Sequence, residues 1–174
     1  ESLKILGSKK NLILIDISKF KYEANYQIKN FSNSFLLQDK NKIIFKKKDL
    51  KFVTKLKPTK KEIKATEFAL NICKFVKSNS IIITNNSATI GIGAGQPSRV
   101  DSCRIAVQKA QQFQPKKLKN SVAASDAFFP FADGVRKLIK AGVKVIIQPG
   151  GSVRDKESIL EANKSKVKMI FTGV

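Results

Sequence analysis

Histidine is missing from all 174 residues. Its absence removes every His-based catalytic triad, His-ligated zinc hydrolase and His general base from what this chain alone can build. Arginine is scarce. It stands only at 99, 104, 136 and 154, four of the 34 basic residues, and the rest are lysine. Nucleic-acid sites lean on arginine for bidentate contacts to bases and phosphates. The net charge of +21 therefore argues less for a nucleic-acid partner than its size suggests. Lysine occurs here with abundant isoleucine, asparagine and phenylalanine, all with AT-rich codons, and a biased genome explains that composition without a partner. Lys46 to Lys48, Lys116, Lys117 and Lys119 read as solvated surface, although their field can still attract anionic ligands. No apolar run approaches twenty residues and no signal peptide is seen. The expectation is a soluble, cytoplasmic protein with no membrane partner. Only two cysteines occur, Cys73 and Cys103, and they read as two buried thiols in a reducing compartment rather than a disulfide.

What is present suffices for a core: 42% of residues are hydrophobic, too many for a disordered tail. Glu1 heads the chain, LKIL before Gly7 reads as the tail of a helix, and Val174 follows the apolar run VKMIF. The chain is expected to be a piece of a longer protein. NLILIDI (11–17) reads as a buried strand, residues 18–33 as irregular, and SFLLQ with KIIF as two strands joined by a turn. Pro58 and the Thr59/Glu62 pair signal a capping box, opening a helix that runs to about Lys77 with Ile63, Ala69, Leu70, Cys73 and Val76 inward. SIIIT and SATIGIG flank Asn85-Asn86, a hairpin turn. A helix follows from about Ser98 to Phe113, with Ser98 and Asp101 at capping-box spacing. QPKKLKN reads as a linker. Beyond it, SVAAS, DGVRKLIKAG, VKVIIQ, RDKESILEANKSK and VKMIFTG alternate strand and helix. That order predicts a C-terminal β-α-β-α-β unit with parallel pairing, in an α/β fold with helices on the faces of a layered sheet. Ligands then belong at the carboxyl ends of the strands.

Four loops could carry chemistry. GIGAGQ (91–96) has Gln96 where a dinucleotide loop needs its last glycine, and a hairpin leads into it, so the spacing fails. Its alternating glycines still bare one strand face, for close packing or for a flat ligand. Arg99, in the first turn of the next helix, opposes the helix dipole and calls for an anion or carboxylate beside it. Asn79, between helix and strand, is either a turn residue or a carboxamide partner with both donor and acceptor. SDAFFPFADG (125–134) crowds three phenylalanines into a loop around Pro130, either as core or as the roof of a pocket. There Asp133 is either an N-cap or an acceptor for paired N–H groups of an aminopyrimidine ring, and Asp126 either caps or binds a cation. QPGGSVRD (148–155) is a tight turn with Asp155 as N-cap, or an anion nest.

Read in order, KSNSIII, IGIGAGQPSRVDSCRIA, ASDAFFPFADGV, AGVKVIIQPGGSVRD and MIFTGV resemble the formyltransferase part of bifunctional purine-synthesis proteins. That family combines phosphoribosyl-aminoimidazolecarboxamide (AICAR) formyltransferase with IMP cyclohydrolase. The resemblance runs from FLLQD to Val174. It implies a cytidine-deaminase-like α/β fold without the deaminase zinc, and indeed no H-x-E or P-C-x-x-C pattern is present. It divides the chain into 1–57, the end of a preceding subdomain with connecting strands, and 58–174, the C-terminal formyltransferase subdomain. It implies formyl transfer from 10-formyltetrahydrofolate to the 5-amino group of AICAR. It assigns Asn79 to the reacting amide, Arg99 and Phe128 to the nucleotide, and Phe131 and Asp133 to the folate. Ser78, Ser80 and Asp126 correspond to a monovalent-cation site reported for some members, with potassium as the candidate ion. The resemblance further implies a homodimer with its site between subunits.

The chain departs from the family pattern. Asn33-Ser34 stands where many members have Gly-Gly, Phe75 replaces a frequent histidine, and nothing matches the family's Lys-His pair or its closing Arg-His-Phe-x-His segment. Two other classes compete with this expectation. One is a lysine-rich nucleic-acid-binding module, favoured by the charge. The other is a nicotinamide enzyme resting on GIGAG.

Overall fold

The computed structural model describes residues 2–19, 25–39, 47–85 and 88–173. The chain forms two compact units, residues 1–42 and 43–174. In the first, helix α1 spans Ser2–Gly7. Strands β1 (Tyr26–Phe31) and β2 (Ser34–Asp39) form an antiparallel hairpin that pairs Ile28 with Leu37. The segment 11–17 is irregular and exposed, not a buried strand. Its apolar run has the composition of a strand but pairs with no strand among the described residues, and composition alone does not fill a ladder. SFLLQ is a strand as expected, but its partner is 26–31, inside the stretch read as irregular. KIIF lies entirely outside the described residues, as does Asn86.

The second unit begins with a 3₁₀ turn at Lys47–Asp49 and β3 (Lys51–Phe52). Next come α2 (Lys60–Cys73), β4 (Ile81–Asn85), β5 (Ala88–Gly93) and α3 (Arg99–Phe113). Then follow α4 (Pro115–Leu118), β6 (Val122–Ser125), α5 (Ala132–Lys140), β7 (Val145–Gln148), α6 (Asp155–Lys164) and β8 (Lys168–Phe171). Six strands form one sheet in the order β3-β8-β7-β6-β4-β5. Strands β6, β7 and β8 run parallel, as the alternation predicts, while β4 is antiparallel to both neighbours. The boundary between the units falls at 42/43, and β3 bonds to β8 within the larger unit.

Period-two alternation builds two cores on this sheet. Ile81, Ile83, Ala123, Ile146 and Met169 face one side, where α3, α5 and α6 supply Cys103, Ala106, Val135, Leu138 and Ala162. Ile82, Ala124, Ile147 and Ile170 face the other, against Ala65, Ala69, Leu70 and Cys73 of α2. Each fully buried Ile or Leu contributes about 1.5–3 kcal/mol. The result is a three-layer α/β fold with helices on both faces. Both cysteines are free and buried, and burial pushes each thiol up to about 12.

Local signals met different fates. The Thr59/Glu62 capping box forms in full: Glu62 N–H donates to Thr59 Oγ1 at 3.3 Å, and Thr59 N–H to Glu62 Oε2 at 2.6 Å. Helix α2 ends at Cys73, short of Lys77. Ser98 is the N-cap of α3, but its side chain makes no capping bond, and Asp101 pairs with Arg104 at 3.1 Å instead. QPKKLKN is no linker: Pro115 opens α4, and Leu118 is buried in the core.

Candidate functional site

The alternating glycines are used for packing. A Cβ on Gly91 would lie 2.1 Å from the Ala106 carbonyl oxygen, and one on Gly93 would lie 1.9 Å from that of Ser102. Bare glycine lets α3 lie directly on β5, and this fixes where the first turn of α3 meets the end of the sheet. No cleft residue comes from GIGAG itself; the chemistry begins just after it, at Pro97.

At the carboxyl ends of β5 and β6 opens a cleft of about 460 Å³. Asn79, Arg99, Phe128, Phe131 and Asp133 all line it, with Ser98 and Val100 on the α3 side. Five residues from three loops thus share one cavity. Asn79 sits ahead of β4, after a cis Ser78–Asn79 peptide. Its Nδ2 donates to the carbonyls of Gln96 (2.8 Å) and Pro97 (3.1 Å), and its own carbonyl accepts from Ser102 Oγ at 2.8 Å. Both side-chain hydrogens are occupied, so Asn79 offers a ligand only its Oδ1 acceptor, not donor and acceptor together.

Arg99 is 8% exposed. Its Nη1 donates to the Ser80 carbonyl at 3.3 Å and to the Asp126 carboxylate, while its buried Nε has no partner among the described residues. The carboxylate that a cation at this helix start calls for is therefore Asp126. Burial works against ionisation of Asp126. Hydrogen bonds from the Ser78 side chain and the Ser80 N–H (3.0 Å), together with the Arg99 guanidinium, outweigh it and hold the carboxyl below its ordinary value. Asp126 caps no helix.

The three phenylalanines divide by role. Phe129 is fully buried in the core, and Phe128 and Phe131 are half exposed on the cleft wall. Gln148, buried at the end of β7, anchors the loop by accepting the Phe129 N–H at 2.9 Å, and donates to Met169 Sδ. Sequence reasoning missed Gln148. Its only trace is a polar residue closing an apolar strand just before Pro-Gly. Phe131, not Asp133, is the N-cap of α5; Asp133 lies in the first turn and is exposed. Asp133 Oδ1 accepts the Gly134 N–H at 2.7 Å, and Oδ2 accepts no hydrogen bond among the described residues. Arg154 lies over the Phe131 ring at 4.8 Å. In the neighbouring glycine turn Asp155 is not the N-cap, which is Arg154. Asp155 Oδ2 instead accepts the Gly151 N–H at 2.7 Å and closes the turn.

A family profile described as AICARFT/IMPCHase bienzyme matches residues 1–109. The bifunctional purine biosynthesis protein PurH of Elusimicrobium minutum (strain Pei191) is 47% identical over 176 residues, covering 100% of this chain and 34% of its own length. PurH of Streptococcus suis (strain 05ZYH33) is 46% identical over 178 residues, with the same coverage. The chain thus spans about a third of these curated relatives, 34% in each case. Among solved structures, a diaminohydroxyphosphoribosylaminopyrimidine deaminase/5-amino-6-(5-phosphoribosylamino)uracil reductase from Thermotoga maritima aligns over 62% of this chain and 36% of its own, at 12% identity and a TM-score of 0.44. A likeness that loose carries no argument.

Proposed function

The chain belongs to the AICARFT/IMPCHase bienzyme family, and on that premise we propose that it carries the substrate-binding part of the AICAR formyltransferase half. The reaction is transfer of a formyl group from 10-formyltetrahydrofolate to the 5-amino group of AICAR, in a protein that also serves as IMP cyclohydrolase. The observation that supports this reading is the meeting of Asn79, Arg99, Phe128, Phe131 and Asp133 in one cleft.

The attacking amine is a poor nucleophile, since its lone pair is delocalised into the imidazole and the carboxamide. Catalysis needs a base for its proton and donors for the oxyanion that develops on the formyl oxygen as the amine attacks the formyl carbon. The Asn79 Oδ1 is suited to accept an N–H from the amine or the carboxamide and so to orient it. Arg99, with its charge balanced by Asp126, is suited to present remaining N–H donors to the nucleotide. Phe128 and Phe131 offer flat apolar walls, and Asp133 Oδ2 with the second lone pair of Oδ1 can accept the paired N–H groups of a pterin. Asp133, whose carboxylate lines the cleft, is given to the folate in this reading, which leaves the amine proton without a base among the described residues. The Lys-His pair implied by the family must come from elsewhere in the longer protein, within a homodimer whose site lies between subunits.

The residues point both ways on a monovalent cation. Asp126 already holds the Arg99 guanidinium and Ser78 is exposed, whereas the Ser80 hydroxyl oxygen is buried with no hydrogen-bond partner among the described residues. A second positive charge on the same carboxylate would be repelled by the first, so no step is assigned to one. The test is a formyl-transfer assay on the 174-residue chain. No turnover is expected from it alone; full activity would contradict the reading.

A further inference from the structure

The opposite end of the sheet carries a second recess, of about 430 Å³. It lies where β4 ends at Asn85 and β6 begins at Val122, against the first turn of α2. Its rim holds Lys61, Lys117 and Lys119, all exposed and none in an ion pair among the described residues. The one acid in it, Glu62, is already engaged: its Oε1 accepts from Lys168 Nζ at 2.5 Å and its Oε2 from the Thr59 N–H at 2.6 Å. Those bonds hold the Glu62 carboxyl below its ordinary value even though burial pushes the other way. The Glu62–Lys168 pair is neutral, so the recess keeps three uncompensated positive charges. The carboxamides of Asn85 and Asn120 also line it and make no hydrogen bond among the described residues. Ala65 and Val122 supply apolar surface.

We infer that this recess binds a small polyphosphate group, free or carried on a nucleotide, at a site separate from the candidate cleft. Lysine is a compact point charge suited to phosphate oxygens without directional demand. Three such charges converging on one concavity focus a field that favours a multiply charged anion over a single carboxylate. The unoccupied amides add directional hydrogen bonds, and the volume suits a ligand of nucleotide size. The fold explains the gathering. The parallel strands β7 and β8 start at this same end, and Lys168 opens β8. The short helix α4 turns Lys117, and Lys119 just after it, toward the ends of β4 and β6. A solvated-surface reading of those lysines sees their charge but not their convergence.

The test is calorimetric titration of the 174-residue chain with inorganic tripolyphosphate at about 0.1 M salt, where exposed long-range charge is largely screened. Saturable binding at one site per chain is expected. The variant K61Q/K117Q/K119Q should weaken it about tenfold or more. The control K74Q/K109Q/K156Q, with the same loss of charge elsewhere, should change it by less than about twofold. Independently of the lysines, Asn120→Asp adds a negative charge at the rim and should also weaken binding. Asn120 has φ of 64°, which Asn and Asp both tolerate. Adenosine triphosphate as a second probe separates the two sources. Tighter binding than tripolyphosphate assigns the recess to a nucleotide, and equal binding to the phosphates alone. No saturable binding, equal loss in both triple variants, or duplex DNA binding that tripolyphosphate fails to displace would each overturn the inference.

Discussion

Gly93 and Asp126 show how single residues set the cleft. Alanine at Gly93 would drive its Cβ into the backbone of α3, and backbone cannot swing aside as a flexible side chain can. Gly93→Ala should cost about 3 kcal/mol, read as a lower urea midpoint, and should shift Arg99 along with the helix. A stability equal to the parent's would refute the close packing. Asp126 holds the buried Arg99, and Asp126→Asn leaves that arginine without its countercharge, at a cost of about 3 kcal/mol. The pH dependence has a definite sign. The folded carboxyl lies below the ordinary value of 3.8, so its contribution is complete above the unfolded value and is lost as pH falls through the folded one. The parent should therefore lose stability more steeply than Asp126→Asn below about pH 4, as followed by thermal melts across an acid series. At this scale the sequence is readable for Arg99, whose unfavourable dipole position calls for an anion or a carboxylate beside it. It did not show that Asp126 would be the partner, because a salt bridge between residues 27 positions apart leaves no local pattern. Nor did it show that the neighbouring loop carbonyls would occupy both amide hydrogens of Asn79.

Elements were legible where their signals are local. The Thr59/Glu62 box starts α2 as its spacing says, and Thr59→Ala should lower stability by about 1 kcal/mol, measurable as a reduced melting temperature. No change would mean that tertiary packing alone fixes the start of that helix. The Ser98/Asp101 pair has the same spacing yet forms no box. An Asp side chain is one methylene shorter than Glu, and Asp101 reaches Arg104 instead. The β-α-β-α-β unit is legible from alternation alone, since apolar strands buried on both faces alternate with helices of fitting length, although neither α5 nor α6 has a side-chain cap. NLILIDI and 26–31 depart from their local patterns in opposite directions, because a strand is defined by its partner and the pairing of 26–31 with SFLLQ is not encoded in either segment. QPKKLKN looked like a linker because its lysines mask Leu118, whose burial depends on the distant core.

At the scale of the whole molecule, the two ends of one sheet carry different chemistry. The carboxyl ends of β5 and β6 hold an aromatic cleft with a balanced Arg99–Asp126 pair, and the opposite end gathers unpaired lysines. Net charge alone, which suggested a nucleic-acid partner, distinguishes neither. No helix among the described residues is long and apolar enough to cross a membrane. The family assignment rests on the profile match over residues 1–109, and the substrate reading on how the cleft residues meet in space. The direct measurement is titration of the 174-residue chain with 10-formyltetrahydrofolate, followed by quenching of ligand fluorescence, for the parent and for Asp133→Ala. Saturable binding that falls about tenfold or more in the variant is predicted, the scale of a lost charge-assisted hydrogen-bond pair. A parent chain that binds no folate, or a variant that binds it equally well, would contradict the account.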